Sequence, residues 1–295
     1  MSWHRAAGSL RSGEADVVVT PEDAGWAYSG MRVWTLGSQP VTFALDGEEG
    51  VLVPLSAQDV EVIVDGQALR LRGRRGVFDA VSDWVYLPVG SRVELRGTGG
   101  DIALCTARAS EVHPLAHVAA AEVPVEVRGA GRATRQVTNI ATPGSFTGAH
   151  KINVCEVITP GGNWSSWPPH RHDGIGDCPV ENEEIYYFRI GREDGSHGDP
   201  VGTGLFRVYT VAGGADEPVT IRDGDVYLIP QGYHGPTVAP PEYPMYFLNV
   251  LAGPGEERTM AFCDDPDHHW IRDSWDDQQP DPRLPWTTAN GRTAG

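Results

Sequence analysis

D-V-Y-L-I-P-Q-G-Y-H, residues 225–234, is a run of β-branched and aromatic residues that enters a Pro-x-Gly turn and presents a histidine just beyond it. Runs of this kind, bounded by turn formers, read as strands. D-W-V-Y-L-P-V-G at 83–90 repeats the pattern, but continues Ser91-Arg92 where the later copy continues Tyr233-His234. Working outward, the same texture marks M-R-V-W-T-L (31–36), V-T-F-A-L (41–45), E-V-I-V (61–64) and R-V-E-L (92–95) in the first half. It marks K-I-N-V-C-E-V-I-T (151–159), E-I-Y-Y-F-R-I (184–190), L-F-R-V-Y-T (205–210) and M-Y-F-L-N-V-L (245–251) in the second. Long amphipathic helical periodicity is absent. The expected architecture is all-β, a barrel or sandwich in two copies.

Composition narrows the function. The chain has 295 residues, enough for two cores, and its 36 Gly and 23 Pro favour turns and strands. A net charge of −17 repels phosphate backbones and anionic lipid, so nucleic acid and membrane surfaces are excluded as expected partners. The start M-S-W-H-R-A-A-G-S-L-R-S-G-E has no apolar run of signal-peptide length, and a cytoplasmic location is expected. The four cysteines, Cys105, Cys155, Cys178 and Cys263, show no C-x-x-C spacing and read as isolated thiols. Residues 108–148 change texture and read as a connection, and the last dozen residues of the polar, Pro-rich tail read as mobile.

The chemistry concentrates in P-P-H-R-H-D at 168–173. Alternation along a strand puts His170 and His172 on one face, where they supply half of a metal site. E-N-E-E-I-Y-Y-F-R-I (181–190) adds carboxylates, and His234 adds a third imidazole. Histidines with one carboxylate and an open position describe a catalytic divalent site. Glu181, Glu183 and Glu184 all compete for the carboxylate place. Strand parity favours Glu184, because its face also carries Tyr186, Phe188 and Ile190 and is the more apolar. Neighbouring His268 and His269 face opposite ways in an extended segment and read as capping or packing residues.

His-x-His, Glu, then Gly-x-x-x-x-x-Pro-x-Gly-x-His resembles the paired metal-binding motifs of the cupin superfamily, with a shorter final spacing and a longer gap before the Glu. G-G-N-W-S-S-W-P-P-H-R-H-D, E-E-I-Y-Y-F-R, L-F-R-V-Y-T, Y-F-L-N-V-L-A-G-P and D-P-D-H-H-W-I resemble, more closely, the 5-deoxy-glucuronate isomerase family of inositol catabolism. G-V-F-D-A-V-S-D-W-V-Y-L-P extends the likeness into the first half, and the 4-deoxy-uronate ketol isomerases are similar at a greater distance. The resemblance implies a bicupin: an N-terminal cupin-like domain without ligands (1–125), a metal-binding cupin (126–265) and a tail (266–295). It again puts Glu184 in the ligand position. It implies one divalent ion (zinc, manganese or iron), a small sugar-acid substrate, and conversion of 5-deoxy-D-glucuronate to 2-deoxy-5-keto-D-gluconate, with homo-oligomerisation left open.

The conversion needs a group that moves a proton between adjacent carbons and a cation for the substrate carboxylate. Tyr209 is preferred for the first over Tyr186, Tyr233 and Glu183. Arg207 is preferred for the second over Arg171, which points away from its flanking histidines in a regular strand. The competing readings are an iron cupin dioxygenase, which uses the same ligand set, and a non-catalytic sugar-binding bicupin.

Overall fold

The computed structural model describes residues 2–196, 198 and 200–293. Each half is a pair of packed antiparallel sheets, the cupin arrangement. In the N-terminal half one sheet runs, in spatial order, Ala116–Val118, Trp84–Leu87, Glu48–Pro54, Asp101–Arg108, Ser29–Thr35, Val17–Val19. Facing it are Val41–Ala44, Arg92–Arg96, Gln58–Val64 and Gln67–Gly73. In the C-terminal half the larger sheet runs His4–Arg5, Val226–Ile229, Glu183–Ile190, Met245–Ala252, Asn153–Thr159, Arg135–Asn139, Val125–Arg128. Its facing sheet runs Asp216–Ile221, Gly204–Tyr209, Tyr233–Val238, His170–Arg171, Cys263–Asp264, with Trp164–Ser165 also paired to Tyr233–Val238.

The two sheet orders correspond. Trp84–Leu87 and Val226–Ile229, the strands of the repeated sequence motif, each stand second from an edge and pair with the strand that begins Glu-Glu. That edge is taken by Ala116–Val118 in the first half and by the chain's own beginning, His4–Arg5, in the second. Residues 108–148 are therefore more than a connection, since Val125–Arg128 and Arg135–Asn139 complete the second sheet.

Three apolar cores follow from strand alternation. Leu45, Leu52, Leu87 and Leu104 fill the interior of the first half, and Phe188, Phe206 and Phe247 line that of the second. Between the halves the large sheets pack face to face through Met31, Val51, Tyr86 and Cys105 on one side and Ile185, Leu228, Leu248 and Val250 on the other. The central strands of the second sheet are buried on both faces, which explains why Asn153–Thr159 and Met245–Ala252 read as continuous rather than alternating runs.

Polar contacts across this interface are reciprocal. Glu49, fully buried, accepts the backbone N–H groups of His150, Lys151 and Ile152 at 2.9, 2.5 and 2.8 Å, and the Tyr86 hydroxyl at 2.6 Å. Glu183 of the other half accepts those of Ala27, Tyr28 and Ser29 at 2.6, 2.8 and 2.7 Å. The buried Arg74 guanidinium pairs with Glu156, which also accepts from the Tyr246 hydroxyl.

The tail is packed, against the expectation of mobility. Trp286 is 2% exposed, Thr287 exchanges hydrogen bonds with the Gln136 side chain, and Thr287–Thr288 pairs with Gly291–Arg292. A buried indole overrides the polar composition around it. No helix among the described residues is long and apolar enough to cross a membrane.

Removing the Glu49 carboxylate strands backbone donors at the interface between the halves. Glu49→Ala is expected to lose about 3 kcal/mol of stability, seen as a lower urea midpoint with an unchanged slope.

Candidate metal centre

The Glu183–Ile190 strand decides which carboxylate meets the histidines. Glu183 turns outward to the N-terminal half, whereas Glu184, 3% exposed, turns into the barrel with Tyr186 and Phe188. One step along the backbone separates an interdomain clamp from a candidate ligand. Glu184 Oε2 lies 3.1 Å from His172 Nε2 and 3.2 Å from His234 Nε2. The donor atoms of His172, Glu184 and His234 all fall within 4.8 Å of one another. His172 Nδ1 lies 2.8 Å from the Asn182 carbonyl, which fixes the ring so that Nε2 faces the barrel.

His170 is not among the residues whose donor atoms converge within 4.8 Å, but its ring lies beside them. It is paired across the sheet with His234, and their ring centroids are 4.3 Å apart. Its centroid lies 6.4 Å from that of His172 and 4.7 Å from that of Phe262, and its Nδ1 is 3.5 Å from the Pro168 carbonyl. The strand ends at Arg171, so simple alternation does not carry through to His172.

The residues suit a divalent ion. The His234 ring is fully buried, yet neither of its nitrogens has a hydrogen-bond partner, and its approach to Glu184 lacks hydrogen-bond alignment. A buried imidazole without a partner is costly, and a bound cation would use its lone pair. Burial, then the neighbouring His234 and His172 rings, push the His170 pKa well below the ordinary imidazole value. Burial also lowers that of His234. Both are therefore neutral, the form that binds metal. Burial works against the Glu184 charge, but the His172 and His234 rings outweigh it and hold the carboxyl below its usual range. His172 is raised despite burial, because Glu184 favours its protonated form.

The cleft beside these residues is lined by Tyr186 and Asn249 from the large sheet, by Ser166, by Met260 and Phe262 from the segment before Cys263, and by Arg128, Arg135 and Arg272. Cys178 and Cys263 form a disulfide that ties the loop after His172 to that segment, so two of the cysteines are not isolated thiols. They are 85 residues apart in sequence, and only the fold brings them together. Cys105 and Cys155 are free and buried.

Tyr209 and Arg207 do not line the cleft. Phe206 and Val208 take the inward positions of their strand, so Arg207 and Tyr209 face outward. Arg207 is bound through Nε and Nη2 to Asp216 at 2.8 Å each, and the Tyr209 hydroxyl donates to Asp265. The alternation that selects Glu184 would have excluded both residues had it been applied to L-F-R-V-Y-T. Arg171 holds its own loop through Asp173, Asp177 and the Ile175 carbonyl, and lies over the Tyr233 ring. His268 packs on Trp167, and His269 Nδ1 lies 2.9 Å from Asp264. Arg272 was missed because it lies in the tail, and Arg128 and Arg135 because their strands lie in the segment read as a connection. There, Arg135 and Val137 share a face by the same period of two.

A model of the KduI/IolB family matches residues 3–271. The chain belongs to that family. It is 40% identical over 267 residues, 88% of its length and 92% of the relative's, to a protein of Geobacillus kaustophilus named 5-deoxy-glucuronate isomerase. A protein of the same name from Geobacillus thermodenitrificans is 39% identical over 88% of this chain and 93% of its own. Among solved structures, an IolB-like protein from Salmonella typhimurium superposes with a TM-score of 0.80 at 32% identity, covering 91% of this chain and 98% of the other. A Bacillus subtilis oxalate decarboxylase variant, at 12% identity and a TM-score of 0.56 over 84% of this chain and 74% of its own, shares the fold alone.

Substituting the paired glutamates separates their roles. Glu184→Ala is expected to weaken metal affinity roughly ten-fold or more, as measured by metal analysis after dialysis, with the fold retained. Glu183→Ala is expected to match the parent in affinity for an added divalent ion and to lose about 2–3 kcal/mol of stability.

Proposed function

We propose that the chain is a divalent-metal-dependent aldose–ketose isomerase that converts 5-deoxy-D-glucuronate to 2-deoxy-5-keto-D-gluconate. The observation that carries this reading is the buried His172, Glu184 and His234 group opening on a cleft lined by arginines, in a chain whose curated relatives bear the isomerase name.

His172, Glu184 and His234, joined by His170, would hold the ion. A divalent ion there supplies Lewis acidity toward the substrate's carbonyl and adjacent hydroxyl oxygens, and its identity among zinc, manganese and iron is not set by these donors. Burial, followed by the nearby Glu184 charge, raises the Tyr186 pKa well above the ordinary phenol value. Its hydroxyl, 3.3 Å from Ser166 Oγ, therefore keeps its proton and acts as a hydrogen-bond donor to a substrate oxygen rather than as a base. Glu183 is committed to the backbone of the other half and takes no part in proton transfer. Met260 and Phe262 supply an apolar part of the cleft wall.

The test is NMR of 5-deoxy-glucuronate with metal-replete protein under anaerobic conditions. Loss of the aldehyde form and growth of a ketone are expected, with activity removed by chelation and restored by a divalent ion. Absence of conversion by metal-replete protein defeats the assignment, and a requirement for oxygen points to dioxygenase chemistry instead. Because Arg207 and Tyr209 face outward, Arg207→Ala and Tyr209→Phe are expected to stay within about threefold of the parent kcat/KM.

A further inference from the structure

Of the three arginines that line the cleft, Arg135 forms no ion pair with a carboxylate among the described residues. Arg128 binds Glu126 at 2.9 and 2.7 Å, and Arg272 binds Asp264 at 2.5 and 2.6 Å, each through two nitrogens. Arg135 has the Ala133 carbonyl at 3.2 Å and the Trp275 ring with its centroid 5.8 Å from Cζ. Arg135 is partly buried and feels the Glu126 charge without forming an ion pair with it, so a ligand anion would supply the direct partner it lacks.

The surroundings hold this side chain toward the cleft. The neighbouring Gln136 points the other way and is fastened to Thr287 of the tail, so the strand cannot readily turn over. At Gly129, which has φ +80°, a Cβ would fall 2.3 Å from the Ala133 carbonyl oxygen and 2.8 Å from Arg135 Nη1, so the backbone here requires glycine, and the guanidinium lies against it. Burial, then the like charges of Arg128 and Arg272, bring the Arg135 pKa down to about 10, and the group is still charged at neutral pH. Arg135 acts electrostatically on both His170 and Tyr186, so it belongs to the same site as the candidate metal ligands.

We propose that Arg135 binds the carboxylate of the sugar-acid substrate as a forked donor, and that it makes the cleft selective for uronates over neutral aldoses. A planar guanidinium meets a carboxylate through two parallel hydrogen bonds, which orients the sugar chain as well as holding it. Arg128 and Arg272 add positive potential at the rim while remaining tied to their own acids. This assignment rests on the isomerase reading for its substrate, but binding of a sugar acid tests it separately.

The experiment measures, by calorimetry on metal-loaded protein, the affinity for D-glucuronate and for D-glucose in the parent, Arg135→Met and Arg135→Lys chains, alongside the NMR assay. The parent is expected to prefer D-glucuronate. Arg135→Met is expected to bind D-glucuronate roughly 10- to 100-fold more weakly, with D-glucose affinity unchanged. Arg135→Lys keeps the charge without the fork and is expected to fall between them; it also serves if the methionine variant fails to fold. Equal losses for the acid and the neutral sugar, or a parent with no preference for the acid, overturn the proposal. If the parent isomerises nothing yet its preference for D-glucuronate depends on Arg135, the isomerase reading fails and the carboxylate site stands.

Discussion

The strand Glu183–Ile190 is held from both sides, and the site depends on that constraint. Its outer face is pinned to the N-terminal half by Glu183, which accepts three backbone N–H groups at residues 27–29. Its inner face delivers Glu184 to two histidines. Because side chains alternate across a sheet, the first contact sets the position of the second. The mirror-image clamp at Glu49 does the same for the other half and leaves an interface in which neither sheet can slide without losing buried hydrogen bonds.

Pseudo-symmetry also shows where the two halves differ. The strand after the Pro-x-Gly turn brings Arg92 in the first half and His234 in the second, and the interior of the first is filled with leucine and valine. The second keeps a polar cleft amid aromatic packing, with Tyr186 stacked on Phe247 and edge-on to His234. The large sheet of the first half buries the back of the sheet that carries Glu184.

Within the cleft, charges are distributed in two zones. Imidazoles and one carboxylate gather at the barrel interior, and the arginines lie toward the strands at residues 125–139 and the short helix His269–Trp275. A sugar acid has matching parts, a carbonyl with neighbouring hydroxyls at one end and a carboxylate at the other. The disulfide between Cys178 and Cys263 joins the loop after His172 to the segment carrying Met260 and Phe262, so the wall and the floor of the cleft are covalently linked.

Strand texture, the repeated Pro-x-Gly motif and the parity of E-E-I-Y-Y-F-R-I were legible in the residues because each rests on local alternation, which has a period of two and needs no partner strand. The all-β fold, the inward turn of Glu184 and the outward turn of Glu183 belong to this class. The Cys178–Cys263 bond, the burial of the Trp286 tail, the convergence of His172, Glu184 and His234 and the entry of Arg135 into the cleft were decided by tertiary structure. Each depends on which distant segments meet, and pairing between strands up to hundreds of residues apart leaves no local trace. Arg207 and Tyr209 show the boundary between the two: a favourable residue type near the right strand says nothing about the face it occupies, and the packing of Phe206 and Val208 into the core sent both outward.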